Sequence, residues 1–227
     1  MKGVLAIDIG GSHVKIRVPR DPDKRRFESG PHLTPDQMVS GVKELAAGWS
    51  FDRVSIGIPA PIANNTAKID PVNLGDGWAG FNFEDAFGLP TKIINDAAMQ
   101  AIGSYEGGCM LFMGLGTGLG TCLINQHVVQ PTEIAHMPYR DGKTFEEVVG
   151  EAGLEKSGKK EWKKNICEVA HILYEGLLPD YIILGGGNSK KFKSDDVLPS
   201  FCRRGDNANA FVGGFRVWDS VWDKAIR

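Results

Sequence analysis

The 227-residue chain is 42% hydrophobic and 24% charged, with a formal net charge of −2. That balance suits one large globular domain or two small ones, and it supplies no overall basic field to recruit nucleic acid or an anionic membrane. The four cysteines, Cys109, Cys122, Cys167 and Cys202, form no C-x-x-C pair. They indicate neither a zinc site nor a disulfide framework, and reduced thiols in a cytoplasmic protein are expected. Met1-Lys2-Gly3 leads straight into a strand-like run, so no signal peptide is expected. Residues 107–132 lack Asp, Glu, Lys and Arg, but they are too rich in Gly, Thr, Asn, Gln and Pro for a spanning helix.

In chain order, Val4–Ile9 (VLAIDI) reads as a buried strand, Gly10-Gly11-Ser12 as a turn, and Val14–Val18 as a returning strand. Arg20–Arg26 reads as a charged loop. Thr34 is a candidate N-cap, with Pro35 at the first helical position and Gln37 completing a capping box. Val54–Ile58 is a third strand, stopped by Pro59 and Pro61, and Asn64–Trp78 is a turn-rich loop. Thr91–Ile94 is a short strand, and Asp96–Tyr105 is helical. Cys109–Met113 and Thr121–Ile124 are two strand-like runs around a glycine turn. Glu161–Leu178 is an amphipathic helix ended by Pro179, Tyr181–Leu184 is a buried strand running into Gly185-Gly186-Gly187, and Phe211–Asp223 is a closing helix.

A strand, a glycine turn and a second strand occur near residue 4 and again near residue 109. This echo predicts two related α/β halves around a cleft, with a first domain over 1–95 and a second over 96–227. The final helix is expected to pack back on the first domain.

The segment MGLGTGLGTCLI (113–124) is not a dinucleotide fingerprint. From Gly114 the third glycine of G-x-G-x-x-G falls on Leu119, and from Gly116 it falls on Thr121. Flanking strands also exclude a linker. What remains is a tight hairpin, either a plain one or one whose backbone N–H groups hold an anion. The first hairpin reads D-x-G-G-S-x-x-K. There Asp8 can hold a hydrated Mg²⁺, the Gly10-Gly11-Ser12 turn offers donors to phosphate, and Lys15 adds a point charge. Asp96, after the strand Ile93-Ile94, is either a helix cap or a general base at the strand end. Glu133 and His136, in E-x-x-H, offer donors and acceptors for hydroxyls.

Taken in order, D-x-G-G-S-x-x-K, N-D-A, L-G-T-G-L-G, E-x-x-H and Y-I-I-L-G-G-G-N resemble the ROK family of sugar kinases, over nearly the whole chain. The ending from Gly205 to Gly214 (GDNANAFVGG) is more similar to the polyphosphate-glucokinase branch. The resemblance implies the actin-like ATPase (ribonuclease H-like) fold, with two α/β domains. It implies phosphoryl transfer to the 6-hydroxyl of glucose or a similar hexose, from polyphosphate, ATP or both. It gives Asp96 the role of base and makes Asn95, Glu133, His136 and Glu146 sugar ligands. Gly10, Gly11, Ser12, Gly116, Thr117 and Gly118 would cradle the transferring phosphate, and Gly186, Gly187 and Asn188 would lie near the nucleotide or its substitute. Mg²⁺ is the expected cofactor, held by Asp8 through water, and a homodimer the expected assembly.

The chain departs from the family pattern in two ways. The Cys-rich zinc motif that follows E-x-x-H in most members is replaced by Tyr139–Glu146, so no structural zinc is expected. Ala60 and Ala135 stand where the family often has glycine, and their methyls are expected to tighten the sugar pocket. Of the rival functions, a sugar-responsive regulator would need a DNA-binding module before Val4, and a catalytically silent sugar-binding protein would not need Asp8 and Asp96. Two lysine clusters also stand out. Lys156, Lys159, Lys160, Lys163 and Lys164 read as a solvated helix face. Lys190, Lys191 and Lys193 follow the last glycine turn and read as a track for a linear polyanion.

Overall fold

The computed structural model describes residues 3–222. They divide into two compact units, one made of the residues up to Gly103 together with those from Ala210 onward, the other of Ser104–Asn209. The division therefore falls at 103/104 rather than 95/96, and the chain returns to the first unit after residue 209.

In the first unit, strands β1 (Val4–Ile9), β2 (His13–Arg17), β3 (Arg25–Glu28), β4 (Arg53–Ile58) and, beyond the two-residue strands β5 (Ile62–Ala63) and β6 (Thr66–Ala67), β7 (Thr91–Asn95) form the main sheet, in the order β3-β2-β1-β4-β7. β1 pairs antiparallel with β2 and parallel with β4, and β4 pairs parallel with β7. Every residue of β1 is buried, as expected for a central strand covered on both faces. Leu5, Ile7, Ile9, Ile16, Ile56 and Trp78 belong to the unit's core cluster. Each such side chain contributes about 1.5–3 kcal/mol on burial.

Helix α1 (Pro35–Leu45) begins where its cap demands. Thr34 Oγ1 accepts the Gln37 N–H at 3.3 Å, and Gln37 Oε1 accepts the Thr34 N–H at 3.0 Å. A short helix α2 (Phe83–Phe87) precedes β7, and α3 (Asp96–Ser104) follows it directly. The stretch expected as a charged loop up to Arg26 instead runs into β3. Its charges hide an edge strand whose Phe27 lies against Gly41, and charged side chains on an edge are a common guard against pairing with other chains.

In the second unit, β8 (Cys109–Leu115), β9 (Leu119–Asn125), β10 (Val128–Thr132), β11 (Tyr181–Gly185) and β12 (Cys202–Arg204) take the order β10-β9-β8-β11-β12. Counted within each unit, both sheets have the order 3-2-1-4-5. In both, the first three strands are antiparallel and the last two join in parallel. The echo near residues 4 and 109 is thus a repeated topology, the paired α/β arrangement of the actin-like ATPase fold.

Helix α4 (Phe145–Val149) carries its own capping box on Thr144 and Glu147. Helix α5 runs over Glu151–Leu177, ten residues earlier at its start than the sequence pattern implies. Gly158 (φ 74°, ψ 159°) interrupts it, and that break obscures the periodicity of the first segment.

The closing helix α6 is Asn209–Arg216, shorter than the expected run, and a 3₁₀ turn follows at Ser220–Trp222. Asp223 lies outside the described residues. A Cβ on Gly213 would stand 1.7 Å from the Met99 carbonyl oxygen, so α6 crosses α3 at a distance only glycine permits. Arg216 Nη1 donates to the Ile102 and Gly103 carbonyls at 3.1 Å each, closing the end of α3. Among the described residues, no helix is long and apolar enough to cross a membrane.

Candidate functional site

Parallel strands present their carboxyl ends, and the loops that follow them, to ligands. In the first unit, Asp8 near the end of β1 sits opposite Gly57 of β4, and Ile58 sits opposite Asn95 of β7. Asp8 on β1 and Asp96, directly after β7, thus stand on either side of β4. Asp8 is 8% exposed, and its Oδ2 accepts Lys15 Nζ at 3.0 Å across the β1–β2 pair. A nearly buried carboxylate needs such a partner, and Lys15 stands in register to supply it.

The turn between these strands is held from outside. Gly10 N–H donates to the His13 carbonyl at 3.0 Å, Ser29 Oγ donates to the Gly10 carbonyl at 2.6 Å, and Ser29 N–H donates to the Ser12 carbonyl at 3.1 Å. Gly11 and Ser12 are exposed at its tip. Ser29 had no signal in the sequence, because it follows the unforeseen strand β3.

Asn95 and Asp96 exchange the parts open to them. Asn95 Oδ1 accepts the Ala98 N–H at 3.1 Å, which makes Asn95 the cap of α3. Its Nδ2 donates to the Ala60 carbonyl at 3.3 Å. Both side-chain ends of Asn95 are therefore engaged within the unit, and Asp96 occupies the first helical position rather than the cap. Gly57 allows this approach: a Cβ there would meet the Met99 Cε at 2.6 Å and the Asp96 Cα at 3.4 Å.

In the second unit, the opening between β8 and β9 shrinks to Gly116-Thr117-Gly118, with Gly116 N–H donating to the Gly118 carbonyl at 3.1 Å and Thr117 exposed. Glu146 Oε2 accepts the Leu119 N–H at 3.1 Å, and a Cβ on Gly118 would lie 2.0 Å from that oxygen. Beside this loop, at the end of β11, Gly186 has φ 78°, and a Cβ there would meet the Leu115 carbonyl oxygen at 2.4 Å. Asn188 Nδ2 donates to the Gly116 carbonyl at 3.2 Å and also to Glu151, whose own N–H donates to the Thr117 carbonyl at 3.0 Å. The two glycine segments and Glu146 are thus one bonded assembly. Glu151 escaped sequence reading because its helix was placed too late.

Glu133 and His136 lie at a short 3₁₀ turn, Ile134–His136, with Glu133 Oε2 and His136 Nε2 3.4 Å apart. Both side chains are 64% exposed. An exposed pair of this kind contributes about 0–1 kcal/mol to stability, which leaves its polar atoms accessible to a ligand. Between this turn and α4, the Tyr139 hydroxyl donates to Glu168, Arg140 Nη1 donates to both Glu168 oxygens at 3.2 and 3.1 Å, and Arg140 Nη2 donates to Asn165 at 2.5 Å. Burial, and next the bond to Glu168, push the Tyr139 phenol up to about 12.

Ala60 and Ala135 sit in the interior of their respective units. Both residues are almost fully buried members of their units' core clusters, 4% and 2% exposed, so their methyls fill the hydrophobic interior. Among the described residues, no group of three or more His, Cys, Asp or Glu side chains stands together as a metal site.

No family model matches the chain. It is 24% identical over 209 residues to the polyphosphate glucokinase of Mycobacterium leprae, covering 83% of this chain and 60% of that protein. It is 26% identical over the same length to the polyphosphate glucokinase of Mycobacterium tuberculosis, covering 82% and 78%. The chain thus spans about three fifths of the length of the first of these relatives. Among solved structures, the inorganic polyphosphate/ATP-glucomannokinase of Arthrobacter sp. strain KM is similar with a TM-score of 0.77 and 23% identity, over 94% of this chain and 97% of that one. A ROK family glucokinase from Streptomyces griseus, in complex with glucose and AMPPNP, is similar with a TM-score of 0.73 and 16% identity, over 95% and 98%.

Proposed function

From the kinship of this chain with the ROK sugar kinases near the polyphosphate glucokinase branch, we propose that it transfers a phosphoryl group from polyphosphate or ATP to the 6-hydroxyl of glucose or a similar hexose. The observation that carries the reading is the placing of Asp96. A plain cap would explain an aspartate after a strand, but Asn95 already caps α3, and Asp96 stands at the carboxyl end of the sheet together with Asp8.

Phosphoryl transfer depends mainly on positioning and on offsetting charge. Asp96 accepts the proton of the sugar 6-hydroxyl as its oxygen bonds to phosphorus, while the bond from phosphorus to the bridging oxygen of the donor breaks and that oxygen leaves with the electron pair. Gly10, Gly11 and Ser12, and likewise the loop Gly116-Thr117-Gly118, offer backbone and hydroxyl donors to phosphate oxygens. Glu133 and His136 hold sugar hydroxyls. Glu146 acts on the second glycine loop through Leu119 and also serves the sugar. Gly186, Gly187 and Asn188 border the donor. Asn95 is best read as a positioning residue for α3, since its amide is occupied at both ends.

The residues also fit a magnesium ion. Mg²⁺ keeps most of its waters and commonly takes one or two carboxylates with substrate phosphates, and Asp8 is a single, largely buried carboxylate beside a glycine turn. Mg²⁺ held there through water would offset charge on the phosphate oxygens. A homodimer in the cytoplasm completes the reading.

The test is a coupled assay of glucose phosphorylation with ATP and with long-chain polyphosphate in turn. Glucose 6-phosphate formed with at least one donor supports the reading. Glucose binding without phosphorylation by either donor would leave a silent sugar-binding protein.

A further inference from the structure

Two lysine groups far apart in sequence meet on the second unit. Lys159, Lys160, Lys163 and Lys164 of α5 line a groove of about 740 Å³ together with Lys193, Phe192 and Asp196. Lys190 and Lys191 do not line it, so of the second cluster only Lys193 contributes, and the helix lysines expected as a plain solvated face supply most of the charge.

The groove carries an excess of positive charge. Asp196 is its acid among the lining residues, and its carboxylate is already engaged. Lys163 donates to it, as does the Lys193 N–H at 2.6 Å, and the Lys163 bond is the main cause of its lowered pKa. Lys164 pairs with Glu161 at 3.0 Å on the exposed helix surface. Lys159, Lys160 and Lys193 make no side-chain hydrogen bond among the described residues.

That arrangement has a cost in the free protein. Lys159 and Lys163 are four residues apart on a helix, as are Lys160 and Lys164, and like charges at that spacing disfavour the helix. Lys159 and Lys160 also follow the break at Gly158 directly, where a helix dipole favours negative charge. A bound polyanion would relieve both effects. The walls are ordered on their own account: Trp162 and Phe192 pack at 5.9 Å between ring centroids, and Arg204 Nη2 donates to the Asp196 carbonyl at 3.0 Å beneath the Lys193–Asp196 turn.

The lining of the groove begins at Phe192, directly after the 3₁₀ turn Gly187–Lys191 that carries Asn188, the side chain bonded to the second glycine loop. We propose that it binds the unreacted length of an inorganic polyphosphate chain, as a site separate from the loops that hold the reacting phosphate. The inference rests on the proposed use of polyphosphate as donor. ATP has no such tail and does not need the groove.

The test is a Lys159→Ala/Lys160→Ala double variant. Both residues are exposed and alanine favours helix, so the fold is kept. With long-chain polyphosphate, the variant should show a KM raised roughly tenfold at low salt. The slope of log affinity against log salt, measured by direct binding of long-chain polyphosphate, should fall by about 1.5. Rates with ATP and with tripolyphosphate should not change. A wild type active with polyphosphate and a variant with unchanged KM and salt slope would overturn the groove and leave the kinase reading intact. If the wild type transfers phosphate from neither donor, the kinase reading fails, and direct binding still decides the groove: weaker binding by the variant supports it, and equal binding overturns it. Tighter binding of single-stranded DNA than of polyphosphate at equal charge would overturn the ligand class.

Discussion

Glu146 holds the second glycine loop from below: its Oε2 accepts the backbone N–H of Leu119 at 3.1 Å, against the bare Cα of Gly118. Gly118→Ala forces the two apart, because the new methyl carbon would lie 2.0 Å from that oxygen. The atom met is the free end of a side chain that can swing aside, so the cost is chiefly the lost bond between the Glu146 carboxylate and the Leu119 N–H, about 1.5–3 kcal/mol. Phosphoryl transfer should fall well beyond what the loss of folded protein explains. Activity per folded molecule, with folding measured by urea titration, checks this. Near wild-type activity would free the loop of any such constraint.

Asp96→Asn should leave sugar affinity nearly intact and lower turnover about 10²–10⁴-fold, the usual effect of losing a general base. Because Asn95 supplies the cap, stability should change little. Rapid-quench turnover set beside glucose calorimetry separates the two effects. A large loss of stability at unchanged turnover per folded molecule would reduce Asp96 to a structural residue.

Glu133→Ala and His136→Ala should weaken glucose binding by about 1–3 kcal/mol each, the cost of leaving a bound hydroxyl without its partner. Their mutual contact is exposed on both sides, so thermal stability should stay within about 0.5 kcal/mol of wild type. Unchanged glucose affinity in both variants would remove the pair from the sugar site.

Gly213→Ala tests the helix crossing in the first unit. A methyl 1.7 Å from the Met99 carbonyl oxygen cannot be absorbed by a side-chain rotation, since the atom it meets is backbone. The expected destabilisation is about 1–3 kcal/mol or more, read as a lower urea midpoint. A variant as stable as wild type would mean that α6 can move off α3 at no cost.

Tyr139 sets an alkaline limit. Its phenol keeps its proton up to about pH 12 in the folded protein, whereas an unfolded tyrosine ionises near 10. Below about pH 10 both states are protonated and the stabilisation is present in full. Between 10 and 12 the unfolded state releases a proton that the folded state keeps, so stability falls as pH rises. Urea titrations from pH 9 to 11.5 should show a shallower decline for Tyr139→Phe than for wild type. Parallel curves would mean that the ionisation of Tyr139 does not limit stability at high pH.

Much of the fold was legible from residue order. An unbroken apolar run such as VLAIDI has no other place than a central strand, and the Thr34–Gln37 capping box fixed the start of α1 because both of its bonds are local. The glycine hairpins were legible for the same reason, as each joins strands adjacent in sequence. What failed were elements whose signal was masked. The charges of Arg25 and Arg26 hid the edge strand β3, and Gly153 and Gly158 hid the first turns of α5.

By itself, the sequence determined the residue types of the candidate site and their places at strand ends, because those depend on local periodicity and turn chemistry. The tertiary structure decided their partners. Pairing across a sheet gave Asp8 to Lys15, and helix packing gave Leu119 to Glu146 and Asn188 to Gly116. It also decided between neighbours: Asn95, not Asp96, took the cap, since only one of them could turn its side chain onto the Ala98 N–H while closing β7. The lysine groove shows the same limit. Lys159 and Lys193 stand 34 positions apart, and nothing in their order brings them together. Their meeting depends on where Trp162 and Phe192 bury their rings, a matter of packing between distant segments that local sequence does not encode.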